Sequence, residues 1–161
     1  MDMVLFLVAW AVSWCDDPLP ATIHLEVGVV EARAPDSRGS RLHALPSYRP
    51  NDPSRPTICL IHGLNSSSGV FQHWFRVLEE AGYGVVVHDY PDDQALERSC
   101  REFRDEWIAF RERSGERARW SLVAHSMGGL LARWLVESED GRSADVDRLL
   151  LIAPVNGGSP L

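Results

Sequence analysis

Residues 119–138 read RWSLVAHSMGGLLARWLVES. As far as His125 the run is short and mostly apolar, as in a strand, and from Leu130 to Val136 it reads as a helix. Ser126 therefore stands at a strand-to-helix turn among small residues, with Ala124 before it and Gly128 and Gly129 after it. A serine hydroxyl is a poor nucleophile at neutral pH. To act as one it must be held exposed on a tight turn and be given a base for its proton. A helix beginning at Met127 would also aim its free N–H groups at negative charge forming nearby. The plainer alternative for Ser126 is an ordinary turn or N-cap serine.

Outward from this turn the pattern is regular. Thr57 to Ile61 (TICLI) is a short, wholly apolar strand of the kind buried on both faces of a parallel sheet. Phe71, Trp74, Phe75 and Leu78 fall on one helical face, and Gly82 and Gly84 close that helix. Val85 to His88 is a second strand, broken by Tyr90-Pro91 and Asp92-Asp93. Leu96, Cys100, Phe103, Trp107 and Phe110 mark a long amphipathic helix with arginines and glutamates on its outer face. Trp120 to Ala124 and Leu149 to Ile152 are further strands. Alternating strands and helices of this kind predict an α/β fold, a mostly parallel sheet flanked by helices.

The N-terminal third is less regular. Thr22 to Arg33 is strand-like, and the Pro- and Ser-rich stretch after it reads as a long loop with a short strand near Leu42 to Leu45. Val4 to Trp14 is apolar but shorter than the roughly 20 residues of a membrane span. Residues 1–15 fit a signal peptide or membrane-proximal segment in length, yet Asp2 stands where a basic residue is expected, so a buried first strand or a mis-set start stays open. Residues 20–161 form the expected domain. The chain has 161 residues, 45% hydrophobic, and a formal charge of −7. It lacks the one-sided basic patch of a nucleic-acid binder. Cys15, Cys59 and Cys100 have no metal-ligand spacing, and the latter two read as small buried hydrophobes.

Two motifs together resemble the α/β-hydrolase superfamily, in its lipase and esterase branch. Ala124-His125-Ser126-Met127-Gly128 is similar to that family's Gly-x-Ser-x-Gly nucleophile elbow, with alanine at the first small position. Ile61-His62-Gly63-Leu64-Asn65, one βαβαβ unit earlier, looks like its oxyanion loop. Leu151 to Pro154 with Gly157 to Pro160 is a weaker third match, and the likeness covers residues 57–161. The resemblance implies Ser126 as nucleophile and the N–H groups of Leu64 and Met127 as oxyanion donors. It also implies a structural hydrogen bond at His62 and a close backbone approach at Gly63, while His125, next to the nucleophile, points away and packs. Haloalkane dehalogenases and epoxide hydrolases share the fold but place Asp at the elbow.

The resemblance also orders the triad as Ser, acid, His along the chain. The 35 residues after Ser126 contain no histidine. His24, His43, His62, His73, His88 and His125 are weighed as substitutes, and none is expected to reach the serine. Asp89 is expected to brace a loop. Glu137, Glu139, Asp140, Asp145 and Asp147 read as solvated surface charge. The expectation is accordingly a fragment or truncated product whose acid and base lie on a following half. The function expected is hydrolysis of a small-molecule ester or lipid; apolar Leu64, Val70, Phe71 and Met127 favour an acyl chain. Membrane-surface association and secretion remain open, as do an acyltransferase or thioesterase activity and a non-catalytic lipid- or protein-binding role. No cofactor, metal or nucleic acid is expected, and oligomeric state is left open.

Overall fold

A computed structural model describes residues 39–139 and 145–158. The apolar run Val4 to Trp14, Cys15, the strand expected over Thr22 to Arg33, His24, Asp140 and the Ser159-Pro160 pair lie outside these described residues. Five strands and three helices follow in the order β1 (Arg41–Ala44), β2 (Thr57–Ile61), α1 (Gln72–Glu80, entered through a 3-10 turn at Ser68–Phe71), β3 (Gly84–Asp89), α2 (Leu96–Ser114), β4 (Trp120–His125), α3 (Gly128–Glu137) and β5 (Val146–Ile152). The sheet order is β1-β3-β2-β4-β5; β1 runs antiparallel to β3 and every other pair is parallel. Among the described residues no helix is long and apolar enough to cross a membrane.

The period of two along each strand sorts its side chains between two layers. Cys59 and Ile61 of β2, Val86 of β3 and Leu122 and Ala124 of β4 face α2 and α3, where they meet Cys100, Phe103, Trp107, Leu131 and Leu135. Ile58 and Leu60, Val85 and Val87, and Val123 face the other way, against Phe71, Trp74, Phe75 and Leu78. With helices on both faces β2 has no solvated side, which is why all five of its residues are buried. Fully burying a Leu or Ile contributes about 1.5–3 kcal/mol relative to exposure. Phe71, expected beside an acyl chain, instead belongs to this core and packs edge-on against Trp74 at 5.9 Å. Gly84, expected to help end α1, is the first residue of β3; Gly82, at φ 88°, alone makes the left-handed exit.

α2 ends in a Schellman arrangement. Gly115 takes the left-handed conformation (φ 69°), and the N–H groups of Gly115 and Glu116 donate to the carbonyls of Glu112 and Arg111. This turn delivers Glu116, wholly buried, to the amino end of the sheet. There its carboxylate accepts from Tyr48 Oη (3.0 Å) and from the backbone N–H groups of Asn51 (3.1 Å), Arg117 (3.0 Å) and Ala118 (2.8 Å). Burial pushes its pKa up, but these hydrogen bonds outweigh burial and hold it below the usual value. Beside it, buried Arg111 lies 5.5 and 5.4 Å from the ring centroids of Trp107 and Trp120 and pairs with Asp145 at 3.2 Å. Asp145, its side chain 47% exposed, is thus solvated as expected and is also the partner of a buried guanidinium.

At the opposite end, His88 of β3 is fully buried between Tyr90 (5.1 Å) and Phe103 (4.2 Å), with Ser40 Oγ 2.6 Å from Nε2. Burial drives its pKa well below the ordinary 6.5, and lowers those of His62 and His125 as well.

Two outcomes follow from these buried groups. Replacing Glu116 with Ala orphans the Asn51 N–H and leaves those of Arg117 and Ala118 to Asn51 Oδ1 alone, and should cost about 2 kcal/mol in urea unfolding at pH 7; a loss under about 0.5 kcal/mol would show that the carboxylate is not a tie. Burial makes all three histidines harder to protonate in the fold, His88 most, while the unfolded chain protonates them near 6.5. Below that pH the unfolded state binds more protons and stability falls as pH drops, by up to ~1.4 kcal/mol per pH unit for each proton. His88→Leu should therefore flatten the stability profile between pH 6.5 and 5, and an unchanged slope would contradict this assignment.

Candidate active site

β4 ends at His125 and α3 begins at Gly128, so two residues make the turn. Ser126 makes it in the left-handed region at φ 51°, a conformation that costs a non-glycine residue roughly 1–2 kcal/mol. It is held there from both sides: its N–H donates to Ile152 O at the end of β5 (2.9 Å), and its carbonyl accepts from Gly129 N (3.0 Å) in the first turn of α3. The side chain stands half-buried on the elbow.

The small residues fit close approaches. A methyl group at Gly128 would collide with the His62 carbonyl oxygen and lie 2.8 Å from Ile61 O, so α3 starts directly against the end of β2. A methyl at Gly63 would lie 2.9 Å from Ser126 Cβ and 3.3 Å from His125 Nδ1. The loop after β2 is therefore packed against the serine itself. Gly129 abuts Pro154, and Ala124 is fully buried in the α2/α3 layer, where its one methyl group is accommodated.

His62, 1% exposed, is fixed by its neighbours. Its Nδ1 lies 2.8 Å from Gly63 O, and its Nε2 is 3.4 Å from Tyr90 N. A backbone N–H can only donate, so Nε2 accepts and Nδ1–H donates, which defines a neutral tautomer. The Tyr90 ring stacks on His62 at 4.4 Å, and its hydroxyl donates to His62 O at 2.9 Å. Leu64 is 40% exposed and Asn65 is left-handed at φ 53°. Asp89 accepts from Ser68 N and Ser68 Oγ, both at 2.7 Å, which is the loop-bracing role expected for it. Asp92, 3% exposed, accepts from Ser66 N at 3.1 Å.

The residues singled out in the sequence are thus brought together: Ser126, Met127, Gly128 and Gly129 on the elbow, His62, Gly63 and Leu64 on the facing loop, with Ala124 and His125 beneath. His125 differs in one respect from expectation. Its Nδ1 does not turn out of the site but lies over Gly63, buried and without a hydrogen-bond partner. No described side chain hydrogen-bonds Ser126 Oγ. His88 faces the α2 layer two strands from β4, about 10 Å away at the usual strand spacing. His43 and His73 are exposed, the former 4.0 Å from Asp89. Tyr90 and Asp92 were not singled out for the site. Their signal was their position, immediately past the carboxyl end of β3 and opposite a loop with three consecutive serines.

A family described as Serine aminopeptidase, S33, matches residues 52–160. No curated protein matches the sequence. Among solved structures, the mature lipase of Bacillus licheniformis superposes with a TM-score of 0.57 at 22% identity, over 70% of this chain and 46% of that one. A monoacylglycerol lipase of Paleococcus ferrophilus gives 0.56 at 23% identity, over 75% and 45%. An epoxide hydrolase of Mycobacterium thermoresistibile gives 0.50 at 18%, over 70% and 34%. The chain thus spans less than half the length of the structures it matches. At these identities the likeness establishes the fold, an α/β-hydrolase sheet. With the family match covering more than half of its length, the chain belongs to the Serine aminopeptidase, S33, family of α/β-hydrolases.

Proposed function

We propose that this chain carries the nucleophile and oxyanion donors of a serine hydrolase acting on carboxylic esters, with Ser126 as nucleophile. The observation that carries the reading is the packing of Gly63 against Ser126 while the serine is held left-handed on the elbow. Strained, non-glycine conformations of this kind persist where surrounding structure over-determines them, and they concentrate at functional sites.

In the proposed reaction Ser126 Oγ adds to the ester carbonyl carbon as its proton passes to a base, and the carbonyl π electrons become an oxyanion. The N–H groups of Leu64 and Met127 receive that charge; among the described residues neither meets another acceptor. Collapse of the intermediate breaks the bond to the alcohol oxygen, which leaves with a proton, and water then releases the acid from Ser126. The reading requires a base and an acid that are not among the described residues. Leu64 and Met127, partly exposed on the facing loop and the elbow, supply apolar surface for an acyl chain, whereas Val70, expected with them, packs against the Ile58 and Leu60 layer; the lipase names of the similar structures agree with an ester or lipid substrate. A thioester substrate or an acyl acceptor other than water would use the same groups. The absence of any described partner for Ser126 Oγ favours a second reading, a non-catalytic domain that binds a lipid or a protein.

A fluorophosphonate probe separates the two. On the first reading the protein as its native source makes it, base and acid included, is labelled at Ser126, located by peptide mass spectrometry, and it hydrolyses short p-nitrophenyl esters. Ser126→Ala should abolish labelling and lower ester turnover by about 10³-fold or more. An unlabelled, inactive wild type would leave the binding reading. Independently of chemistry, Ser126→Gly removes the left-handed strain and should raise stability by about 1 kcal/mol, whereas Ser126→Ala keeps the strain and should change little. Equal stabilities in thermal or urea unfolding would mean that the elbow is not strained.

A further inference from the structure

We propose that Asp89 and Asp92 are positioning residues for the oxyanion donor Leu64, acting as a two-carboxylate brace on the loop that carries it; this rests on the ester-hydrolase reading above. The loop leaves β2 at Ile61 and turns through Leu64 and Asn65 before entering the 3-10 turn at Ser68. Its first limb is fixed by Tyr90, whose hydroxyl and backbone N–H both reach His62. Its second limb is fixed by Asp92 on Ser66 N and by Asp89 on Ser68 N and Oγ. All these anchors come from residues 89–92, the last residue of β3 and the three that follow it.

Between the anchored residues, His62 and Ser66, only Gly63, Leu64 and Asn65 remain. Gly63 is already constrained by Ser126, and Asn65 by its left-handed turn. Leu64 cannot hold itself, because its side chain is 40% exposed. The direction of its N–H is therefore set by the two limbs. The brace is also costly unless it is used. Asp92 is 3% exposed, and its Oδ1 is buried without a hydrogen-bond partner, so one oxygen is spent on Ser66 while the other is left dry. Asp89 is the more fully engaged of the two: Oδ1 takes Ser68 N and Oδ2 takes Ser68 Oγ.

The test compares rates of fluorophosphonate labelling of Ser126, at a temperature where every variant is folded by circular dichroism. Asp89→Ala and Asp92→Ala should each slow labelling by about 10-fold to 10²-fold, the range expected when an oxyanion donor is misplaced rather than removed. The ester kcat should fall by a similar factor with KM nearly unchanged. Asp89→Asn and Asp92→Asn keep one acceptor in place and should recover most of the rate. Glu116→Gln, at the far end of the sheet, controls for loss of stability alone and should label at the wild-type rate. Labelling of both alanine variants at the wild-type rate, slowing of Glu116→Gln by as much, or a failure of the asparagine variants to recover would overturn the brace. A wild type that does not label overturns the hydrolase reading itself, and the brace with it. If an alanine variant does not fold, Tyr90→Phe, which removes only the hydroxyl bond to His62 O, should slow labelling by a smaller factor, and its labelling at the wild-type rate would count against control of Leu64 by the loop limbs.

Discussion

The contact between the end of β2 and the first turn of α3, possible only because residue 128 has no side chain, is the constraint from which the rest of this site follows. Once the His62 and Ile61 carbonyls lie against Gly128, the chain has two residues in which to turn from β4 into α3. Ser126 absorbs the turn with a left-handed backbone. The same approach brings the loop after β2 over the elbow, so that Gly63 meets Ser126. Asn65, Ser126 and Ala153, at φ 53°, 51° and 46°, stand past the carboxyl ends of β2, β4 and β5, three neighbouring strands. At roughly 1–2 kcal/mol each, their strain is tolerable only because strand hydrogen bonds such as Ser126 N to Ile152 O fix the backbone on both sides.

The two ends of the sheet divide the work. At the amino end, Glu116 gathers four donors and Arg111 lies against two tryptophans, while Tyr48 packs on Phe110 and Trp120 at 5.7 and 5.8 Å. These interactions tie the segment after β1 to the turn after α2 and leave little freedom. At the carboxyl end the polar groups serve loops instead, through His62, Tyr90, Asp89 and Asp92. A rigid far end lets the near end hold strained residues and partly exposed loops without unravelling.

Most of the fold was legible because burial on two faces and burial on one face leave different patterns. β2 is wholly apolar since neither face sees water, and α2 repeats its apolar residues at helical spacing since only one face is covered. β5 was read too short. Its first turn from the edge carries Asp147 and Arg148, both exposed at the rim of the sheet, and an alternation interrupted by charge looks like a loop. The antiparallel pairing of β1 with β3 and the tie from Glu116 to Tyr48 join residues far apart in sequence through polar groups, for which no local period exists. The elbow was legible because its small residues recur at fixed spacing around a serine. The segment 89–92 was not, apart from Asp89, because a carboxylate that accepts a loop N–H has the same sequence signature as one that faces water.

Two carboxylates near a proposed oxyanion site raise a question of sign, since each opposes a second negative charge. Distance and competition decide it. Asp89 ends β3 and Asp92 follows it, with β2 between β3 and β4, so they lie on the order of 10 Å from the elbow. At an effective dielectric constant of about 20, each unit charge at that distance opposes an oxyanion by roughly 1.7 kcal/mol, so the two together oppose it by about 3.3 kcal/mol before screening. Salt reduces this further, because the separation is close to a Debye length. An oxyanion N–H that is aimed correctly contributes about 2.7–4 kcal/mol. Unscreened, the two effects are comparable; with screening at about one Debye length, holding Leu64 in place outweighs the repulsion from the groups that hold it. A lysine or arginine there would favour the charge but could not accept from Ser66 and Ser68, because the loop presents N–H and O–H donors to this side and needs acceptors opposite them.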